Sequence, residues 1–397
     1  MTRFKRLTLW GLVLTVVILL LLSAFFYRPT RLALERAESF SFRRMSVAKL
    51  AEQDAYRFFY VSNRHLEPGE ESPEERFGPA RVEKLKFGRF DTEIEPSLGL
   101  GMIINPTDWF QNEELNVQDV QPLDQDAFVS EVSGLVQESP HRALMVVVHG
   151  YRNSFPTSMR MTAFLGHILD INAPVLVFDW PGDQGSGLRG YRRAQQIAHD
   201  SGAQLATTLE MIIRDIKPDK LWLIANSMGG QVVVDAFSIL YQQRDLADVA
   251  TEFADVVLTA PDVDKNEFNE QFKREITSLV NNLTVYVSSN DRALMASRIV
   301  NRGRRLGQSA PDVMNPDQYE EAVSIAELIE PDSSLITLVD VTPVNRTRNF
   351  HNFSLETPEF FDDLYLKLTN DATPHNRLIY PVNTRDGSVF WVLTRGR

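Results

Sequence analysis

A serine between a predicted strand and a predicted helix is the first group in this sequence that could do chemistry. Residues 221–224 (LWLI) form a continuous apolar run, residues 225–230 (ANSMGG) follow it, and a helical pattern covers 231–241. A serine with small residues two positions before and after it can occupy a sharp strand-to-helix turn, where backbone N–H groups stabilise negative charge. We therefore predict that Ser227 is a nucleophile. The alternative is that Ser227 only caps the helix.

A serine hydroxyl needs a neighbouring base at neutral pH, and histidine is the usual one. After a turn of this kind the base follows the nucleophile in the chain. His351 and His375 are the histidines that follow Ser227. His351 lies between a predicted strand at 336–339 and a predicted helix at 360–368, whereas His375 lies in a loop rich in proline and asparagine. The position favours His351.

A carboxylate is expected to orient the histidine and to stabilise its charged form. Asp291 follows a predicted strand at 283–287, and Asp262 follows one at 256–259. Because the acid usually lies after the later of two such strands, Asp291 is the predicted acid and Asp262 is the runner-up. The residues from Asp262 onward lack the glycine and the glutamate that a calcium-binding loop requires, so no metal site is predicted.

Two backbone N–H groups are expected to bind the negatively charged oxygen that forms during acyl transfer. One belongs to Met228, next to Ser227, and the other to Tyr151, after the apolar run 143–148 (ALMVVV). Gly150 lets the backbone approach a substrate closely. The predicted pocket residues are His149, Gly150, Asn226 and Trp180. We expect the histidine of this set to be bonded within its own loop rather than to act as a second base.

These groups must be positioned by a sheet. Short apolar strands are predicted at 143–148, 175–178, 221–224, 256–259, 283–287 and 336–339. Helical patterns are predicted at 128–137, 156–170, 191–216, 231–241 and 360–368. Continuous apolar strands that alternate with helices indicate a parallel sheet covered on both faces, with its chemistry just past the carboxyl ends of the strands. The predicted fold class is α/β, with a doubly wound, mostly parallel sheet.

Composition excludes several classes of function. The chain has 397 residues, of which 43% are hydrophobic and 24% charged, as in ordinary globular proteins. It has no cysteine, which excludes disulfides, thiolate metal sites and a cysteine nucleophile. The first 44 residues carry eight basic and two acidic side chains, a charge of +6, which leaves −18 on the remainder. An acidic body repels phosphate backbones, so nucleic acid is not expected as a partner.

The N-terminus contains an uncharged run long enough to cross a membrane. Residues 7–27 have no charged side chain and, as a helix, would span about 31 Å, which is the thickness of the hydrocarbon core. We predict an uncleaved signal anchor, with a cleaved signal peptide as the alternative. The short N-terminus before it favours a single-pass protein of the bacterial inner membrane with the catalytic domain outside the cytoplasm.

The remaining chain divides by its patterns. Residues 51–125 contain a strand candidate at 56–61 and short strand-like pieces at 87–102, without a dominant helical period. The predicted organisation is a basic N-terminus (1–6), a transmembrane anchor (7–27), a juxtamembrane linker (28–50), a strand-rich extension (51–125), a catalytic domain (126–370) and a C-terminal tail (371–397).

Several short motifs, taken in order, resemble those of the α/β-hydrolase superfamily, and more narrowly a bacterial α/β-hydrolase family of unknown function. They are 60–64 (YVSNR), 148–151 (VHGY), 178–181 (FDWP), 226–230 (NSMGG), 260–264 (APDVD), 289–294 (SNDRAL) and His351. The resemblance implies a Ser227–His351–Asp291 triad and ester-type hydrolysis, without a defined substrate. Relatives often carry histidine where this chain has Asn226, which implies a changed pocket rather than lost activity.

The sequence thus predicts a membrane-anchored serine hydrolase that cleaves a carboxylic ester or thioester without a cofactor. Its expected partners are a small-molecule ester or acyl substrate and, through residues 7–27, a membrane. A lipid substrate rests on the anchor alone. The alternative is a catalytically silent scaffold of the same fold that binds a partner near the membrane. Acyl length and oligomeric state are left open.

Overall fold

The computed structural model of the protein describes residues 47–50, 55–68, 76–94, 115–243, 253–264, 267–268, 272–289, 291, 336–347, 351, 353–369, 377–383 and 389–394. The described strands are β1 (Ala55–Leu66), β2 (Phe77–Ile94), β3 (Leu115–Leu123), β4 (Ala143–Val148), β5 (Val175–Asp179), β6 (Lys220–Asn226), β7 (Phe253–Thr259), β8 (Leu283–Val287), β9 (Ile336–Asp340), β10 (Ile379–Asn383) and β11 (Val389–Leu393). The described helices are α1 (Gln125–Glu138), α2 (Phe155–Leu169), α3 (Gly187–Met211) with a π-helical turn (Ile212–Ile216), α4 (Gly229–Gln242), α5 (Lys273–Thr277), α6 (Phe353–Glu356) and α7 (Pro358–Thr369).

All described strands belong to one sheet, in the order β10-β11-β9-β8-β7-β6-β4-β5-β1-β2-β3. The pairings from β11 through β9 to β1 are parallel, and the antiparallel ones lie at the two ends, between β10 and β11 and among β1, β2 and β3. The prediction of a mostly parallel sheet is confirmed. The central strands are short and apolar because both of their faces are buried.

Helices cover both faces of the sheet. In β4 every residue is buried, and alternate side chains point to opposite faces, with Leu144 on one face and Met145 on the other. The first face packs against α1, α3, α4 and α5, and the second packs against α2, α6 and α7. This double burial holds the carboxyl ends of the central strands in one row.

The two ends of the described chain are more closely integrated than the sequence suggested. The predicted strand-like pieces at 87–102 form the end of an 18-residue strand, Phe77–Ile94, and residues 95–102 lie outside the described residues. Residues 371–397, expected to be a tail, contribute β10 and β11, and β11 pairs in parallel with β9. The boundary expected at residue 370 therefore separates strands of one sheet. Pro381 obscured β10 because proline is tolerated only on an edge strand, which is where β10 lies.

Within the described residues, none of the helices combines the length and the apolar character that a membrane crossing needs. The predicted anchor, residues 7–27, lies outside the described residues.

Candidate active site

Ser227 occupies the sharp turn between β6 and α4. Its backbone has a φ of 53°, in the left-handed region that favours glycine. Three hydrogen bonds hold this conformation: the Ser227 N–H donates to Thr259 O (2.9 Å), and its carbonyl accepts from Asp262 N (3.0 Å) and Gly230 N (2.9 Å). Strained backbone persists where the surroundings over-determine it, and such positions cluster at functional sites. The turn presents the Ser227 hydroxyl at the carboxyl end of β6.

Two glycines allow the loop after β4 to lie against this turn. A Cβ atom on Gly229 would meet His149 O at 2.5 Å, and one on Gly150 would meet the Ser227 Cβ at 3.0 Å. The first contact is too close for a side chain, and the second would force the Ser227 side chain to shift by a few tenths of an ångström. The peptide between Gly150 and Tyr151 consequently lies beside Ser227.

His351 connects Ser227 to Asp291. His351 Nε2 lies 2.9 Å from Ser227 Oγ, and His351 Nδ1 lies 2.7 Å from Asp291 Oδ2. Because an ionised carboxylate only accepts, Nδ1 carries the hydrogen and Nε2 is left to accept the Ser227 hydroxyl proton. The Asp291 side chain is fully buried, whereas 14% of His351 is exposed. The structure therefore brings together the three side chains that the sequence selected, with the imidazole reachable from solvent.

The charges around the imidazole favour its protonated form. Burial lowers the pKa of His351, but the charge and hydrogen bond of Asp291 raise it, as does the charge of Asp262. The net shift is upward from the ordinary histidine value. Such an imidazole accepts a proton more readily than one without a carboxylate partner.

The runner-up acid has a different partner. Asp262 is buried and its Oδ2 accepts a hydrogen bond of 2.6 Å from the Tyr191 hydroxyl. Its charge reaches His351, yet it is Asp291 that binds Nδ1. The alternative base, His375, lies outside the described residues.

The predicted pocket residues surround the Ser227 turn. Asn226 Nδ2 donates to Ser354 Oγ at 2.7 Å, which joins the end of β6 to the helix that follows His351. His149 Nδ1 donates to Gly150 O at 2.9 Å, so this histidine is bonded within its own loop. The rings of His149 and Trp180 lie 5.5 Å apart and are parallel to within 3°.

One buried arginine, next to the loops that follow β4 and β5, was missed by the sequence analysis. Arg64 ends the quoted motif YVSNR, and its side chain is fully buried beside Asp179. A signal was present, because a basic residue at the end of an apolar strand is costly to bury unless an acid pairs with it. Among the residues that the structure describes, no three histidine or carboxylate side chains lie close enough together to hold a metal ion.

Comparison with known proteins adds a family. Residues 124–364 match the sequence profile of a family described as "Alpha/beta hydrolase of unknown function (DUF900)". No curated protein matches the chain. A protein described as a cell-surface hydrolase from Lactobacillus plantarum WCFS1 is 12% identical over 59% of this chain and 94% of its own, with a TM-score of 0.35. An esterase from Pyrococcus furiosus is 14% identical over 57% of this chain and 80% of its own, with a TM-score of 0.31.

Proposed function

Because the chain belongs to the α/β-hydrolase family of unknown function (DUF900), and this membership supports hydrolase activity, we propose that it is a serine hydrolase that cleaves carboxylic esters or thioesters. The observation that carries the proposal is the continuous hydrogen-bond path from Asp291 through His351 to Ser227, with lengths of 2.7 and 2.9 Å. A nucleophile within hydrogen-bond reach of a base, which a third group orients, is the arrangement that activates a hydroxyl.

In the first half of the reaction, Ser227 Oγ attacks the acyl carbon while His351 Nε2 takes the hydroxyl proton. The carbonyl oxygen becomes negatively charged and is bound by the backbone N–H groups of Met228 and Tyr151. Asp291 stabilises the imidazolium through Nδ1–H. The tetrahedral intermediate then breaks the bond to the alcohol or thiol, which leaves with the proton from His351. The product of this half is an acyl ester of Ser227.

In the second half, water attacks the acyl group, and His351 Nε2 takes a proton from that water. Collapse of the second tetrahedral intermediate breaks the bond from Ser227 Oγ to the acyl carbon, His351 returns its proton to Oγ, and the carboxylic acid is released. Loss of one hydrogen-bond donor to the developing oxyanion typically lowers kcat by about 10²- to 10³-fold. Epoxide or haloalkane hydrolysis is disfavoured, because those chemistries need a carboxylate where this chain has Ser227. Peptide hydrolysis is a weaker version of the same proposal.

The proposal is tested with a fluorophosphonate probe and a panel of soluble esters and thioesters. We expect the full chain to be labelled and to hydrolyse at least one ester, and both reactions to be lost in Ser227→Ala. Ser354→Ala is a matched control, because it removes a hydroxyl close to the site without removing the nucleophile. A folded wild-type chain that neither reacts with the probe nor hydrolyses any ester would support the silent scaffold instead.

We also propose that residues 7–27 anchor the protein in the bacterial inner membrane, with the hydrolase domain outside the cytoplasm. The support is the uncharged 21-residue run in the sequence. Cell fractionation should find the full chain in membranes that resist carbonate extraction, and a chain without residues 1–28 in the soluble fraction. Protease added to intact spheroplasts should digest the domain. Recovery of a full-length chain from the soluble fraction would contradict the anchor.

A further inference from the structure

Arg64 is a buried cation that uses its whole hydrogen-bonding capacity. Its side chain has no exposed surface, and a guanidinium carries five N–H donors. The five donated bonds go to Asp179 Oδ2 (2.8 Å), Asp183 Oδ1 (2.5 Å), Gly78 O (3.3 Å), Asn153 O (2.7 Å) and Trp180 O (2.9 Å). Lysine, with three donors on one nitrogen, could not reproduce this arrangement.

These bonds connect β1 to both loops that flank Ser227. Asn153 ends the loop after β4, which we define as the oxyanion loop (residues 149–153), whereas Asp179 and Trp180 lie at the end of β5. The two loops are also joined directly, because the Arg152 N–H donates to Gly182 O at 2.8 Å. One side chain from β1 therefore holds the oxyanion loop at its far end.

The same arginine acts on the near end of the oxyanion loop through Trp180, whose carbonyl it binds at 2.9 Å. Asp179 fixes Arg64 in turn: burial raises the pKa of the Asp179 carboxyl, but the charge of Arg64 and the bond from Ser62 lower it, and the net shift is downward. The Trp180 N–H donates to His149 Nε2 at 3.2 Å, and His149 Nδ1 donates to Gly150 O at 2.9 Å. Nδ1 must carry the hydrogen here, since a carbonyl can only accept. The path from Arg64 thus reaches the Gly150 carbonyl.

The Gly150 carbonyl and the Tyr151 N–H belong to one rigid peptide unit. In a trans peptide these two groups point in opposite directions, so fixing the carbonyl fixes the direction of the N–H. Gly182 lies close to this carbonyl, because a Cβ on Gly182 would meet Gly150 O at 2.8 Å. Ser227 lies on Gly150 as well, since a Cβ on that glycine would meet the Ser227 Oγ at 3.6 Å.

We propose that Arg64 is a positioning residue, which orients the Tyr151 N–H toward the reacting oxygen by holding the oxyanion loop at Asn153 and, through Trp180 and His149, at Gly150. The inference rests on the proposed hydrolase function, because the Tyr151 N–H acts only if Ser227 forms a tetrahedral intermediate. It makes the strand-rich segment before residue 125 part of the catalytic apparatus.

The test compares wild type with Arg64→Lys, which keeps the positive charge beside Asp179 and loses the planar set of donors. We expect kcat for a soluble ester to fall by about 10- to 100-fold, because a misplaced donor acts weakly on the transition state. A trifluoromethyl ketone that forms an oxyanion on Ser227 should bind weaker by the same factor. The corresponding alcohol forms no oxyanion, and its affinity should stay within about twofold of wild type.

Two further variants separate positioning from folding. Ser62→Ala removes the bond of 2.8 Å from Ser62 Oγ to Asp179 Oδ2 and the acceptor, at 3.2 Å, of the Arg64 backbone N–H. It should lower kcat and ketone affinity together by about two- to fivefold. Arg377→Lys is the matched control, because the Arg377 side chain is also buried and pairs at 2.6 Å with the buried Asp363 of α7, which is not part of the oxyanion loop. It should lower the thermal midpoint without changing either affinity.

The outcomes distinguish the two proposals. If Arg64→Lys folds and binds the ketone as wild type does, the positioning role is overturned and the proposed function stands. Equal losses of ketone and alcohol affinity would also overturn it, since they indicate a general structural effect. If Arg64→Lys does not fold, the affinities of Ser62→Ala for the ketone and the alcohol decide whether the positioning role stands. A wild-type chain that neither hydrolyses esters nor reacts with fluorophosphonate refutes the proposed function and this inference with it.

Discussion

Replacing Asp291 by asparagine should slow the reaction and shift its pH profile. The substitution Asp291→Asn keeps the size of the side chain but removes the charge that lies 2.7 Å from His351 Nδ1. With charge centres about 4 Å apart and an effective dielectric constant of about 20, the lost attraction for the imidazolium is about 4 kcal/mol. Since about 1.4 kcal/mol corresponds to tenfold in rate, kcat should fall by about 10³-fold.

The direction of the pH shift follows from the causes of the His351 pKa. Asp291 raises this pKa against the effect of burial, which lowers it. The reaction needs neutral His351, so activity of the wild type rises as the pH passes upward through that pKa. Without the Asp291 charge, burial dominates and the pKa falls. The acid limb of kcat/KM should therefore move to lower pH in Asp291→Asn.

The assay is the pH dependence of kcat/KM on one soluble ester. The matched control is Asp262→Asn, because Asp262 acts on His351 through its charge while Asp291 provides the hydrogen bond. Its acid limb should move in the same direction by a smaller amount, with kcat reduced less than about tenfold. An unchanged or upward-shifted acid limb in Asp291→Asn would refute the reasoning, and a larger effect from Asp262→Asn would make Asp262 the acid.

Further substitutions test the packing around the turn. Gly150→Ala places a methyl 3.0 Å from Ser227 Cβ, and kcat should fall by about tenfold or more in steady-state kinetics; an unchanged kcat would contradict this contact. Gly229→Ala places a methyl 2.5 Å from His149 O, and denaturant unfolding should show about 1–3 kcal/mol lower stability; equal midpoints would refute the tight approach. Asn226→Ala loses the hydrogen bond to Ser354, so kcat should fall by about two- to tenfold, and Ser354→Ala should lower kcat by the same factor. If the effects of the two substitutions on kcat are additive in the double mutant, the two side chains are not coupled.

Strand and helix positions were readable from local patterns because burial on both faces leaves a continuous apolar run. The runs 143–148 and 283–287 coincide with β4 and β8 as the structure has them. Pattern reading failed at β10, where proline and polar neighbours hide an edge strand, and at β2, where a long strand alternates with charged residues. Both strands take part in antiparallel pairings at the ends of the sheet, where one face can meet solvent, so they leave a weaker mark in the sequence than strands buried on both faces.

The residues of the candidate site likewise differ in how far the local sequence predicts their roles. The turn around Ser227 was predictable because its needs are local: a buried strand, small neighbours and a following helix. The choice of Asp291 over Asp262 depended on the rule that the acid follows the later strand, since both follow apolar strands and differ in where their loops end in space. The structure places Asp291 against His351 and Asp262 against Tyr191. The catalytic roles of these residues stay predictions until activity is measured.

The sequence by itself determined the fold class, the alternation of strands and helices, and the turn that carries the serine, because each depends on residues that are neighbours along the chain. Only the tertiary structure decided which distant groups meet. Asp291 and His351 are 60 residues apart in the chain, and Arg64 and Asp179 are 115 apart. Contacts of this kind arise from the order of strands in the sheet, and hydrophobic periodicity records burial without recording which strands lie side by side.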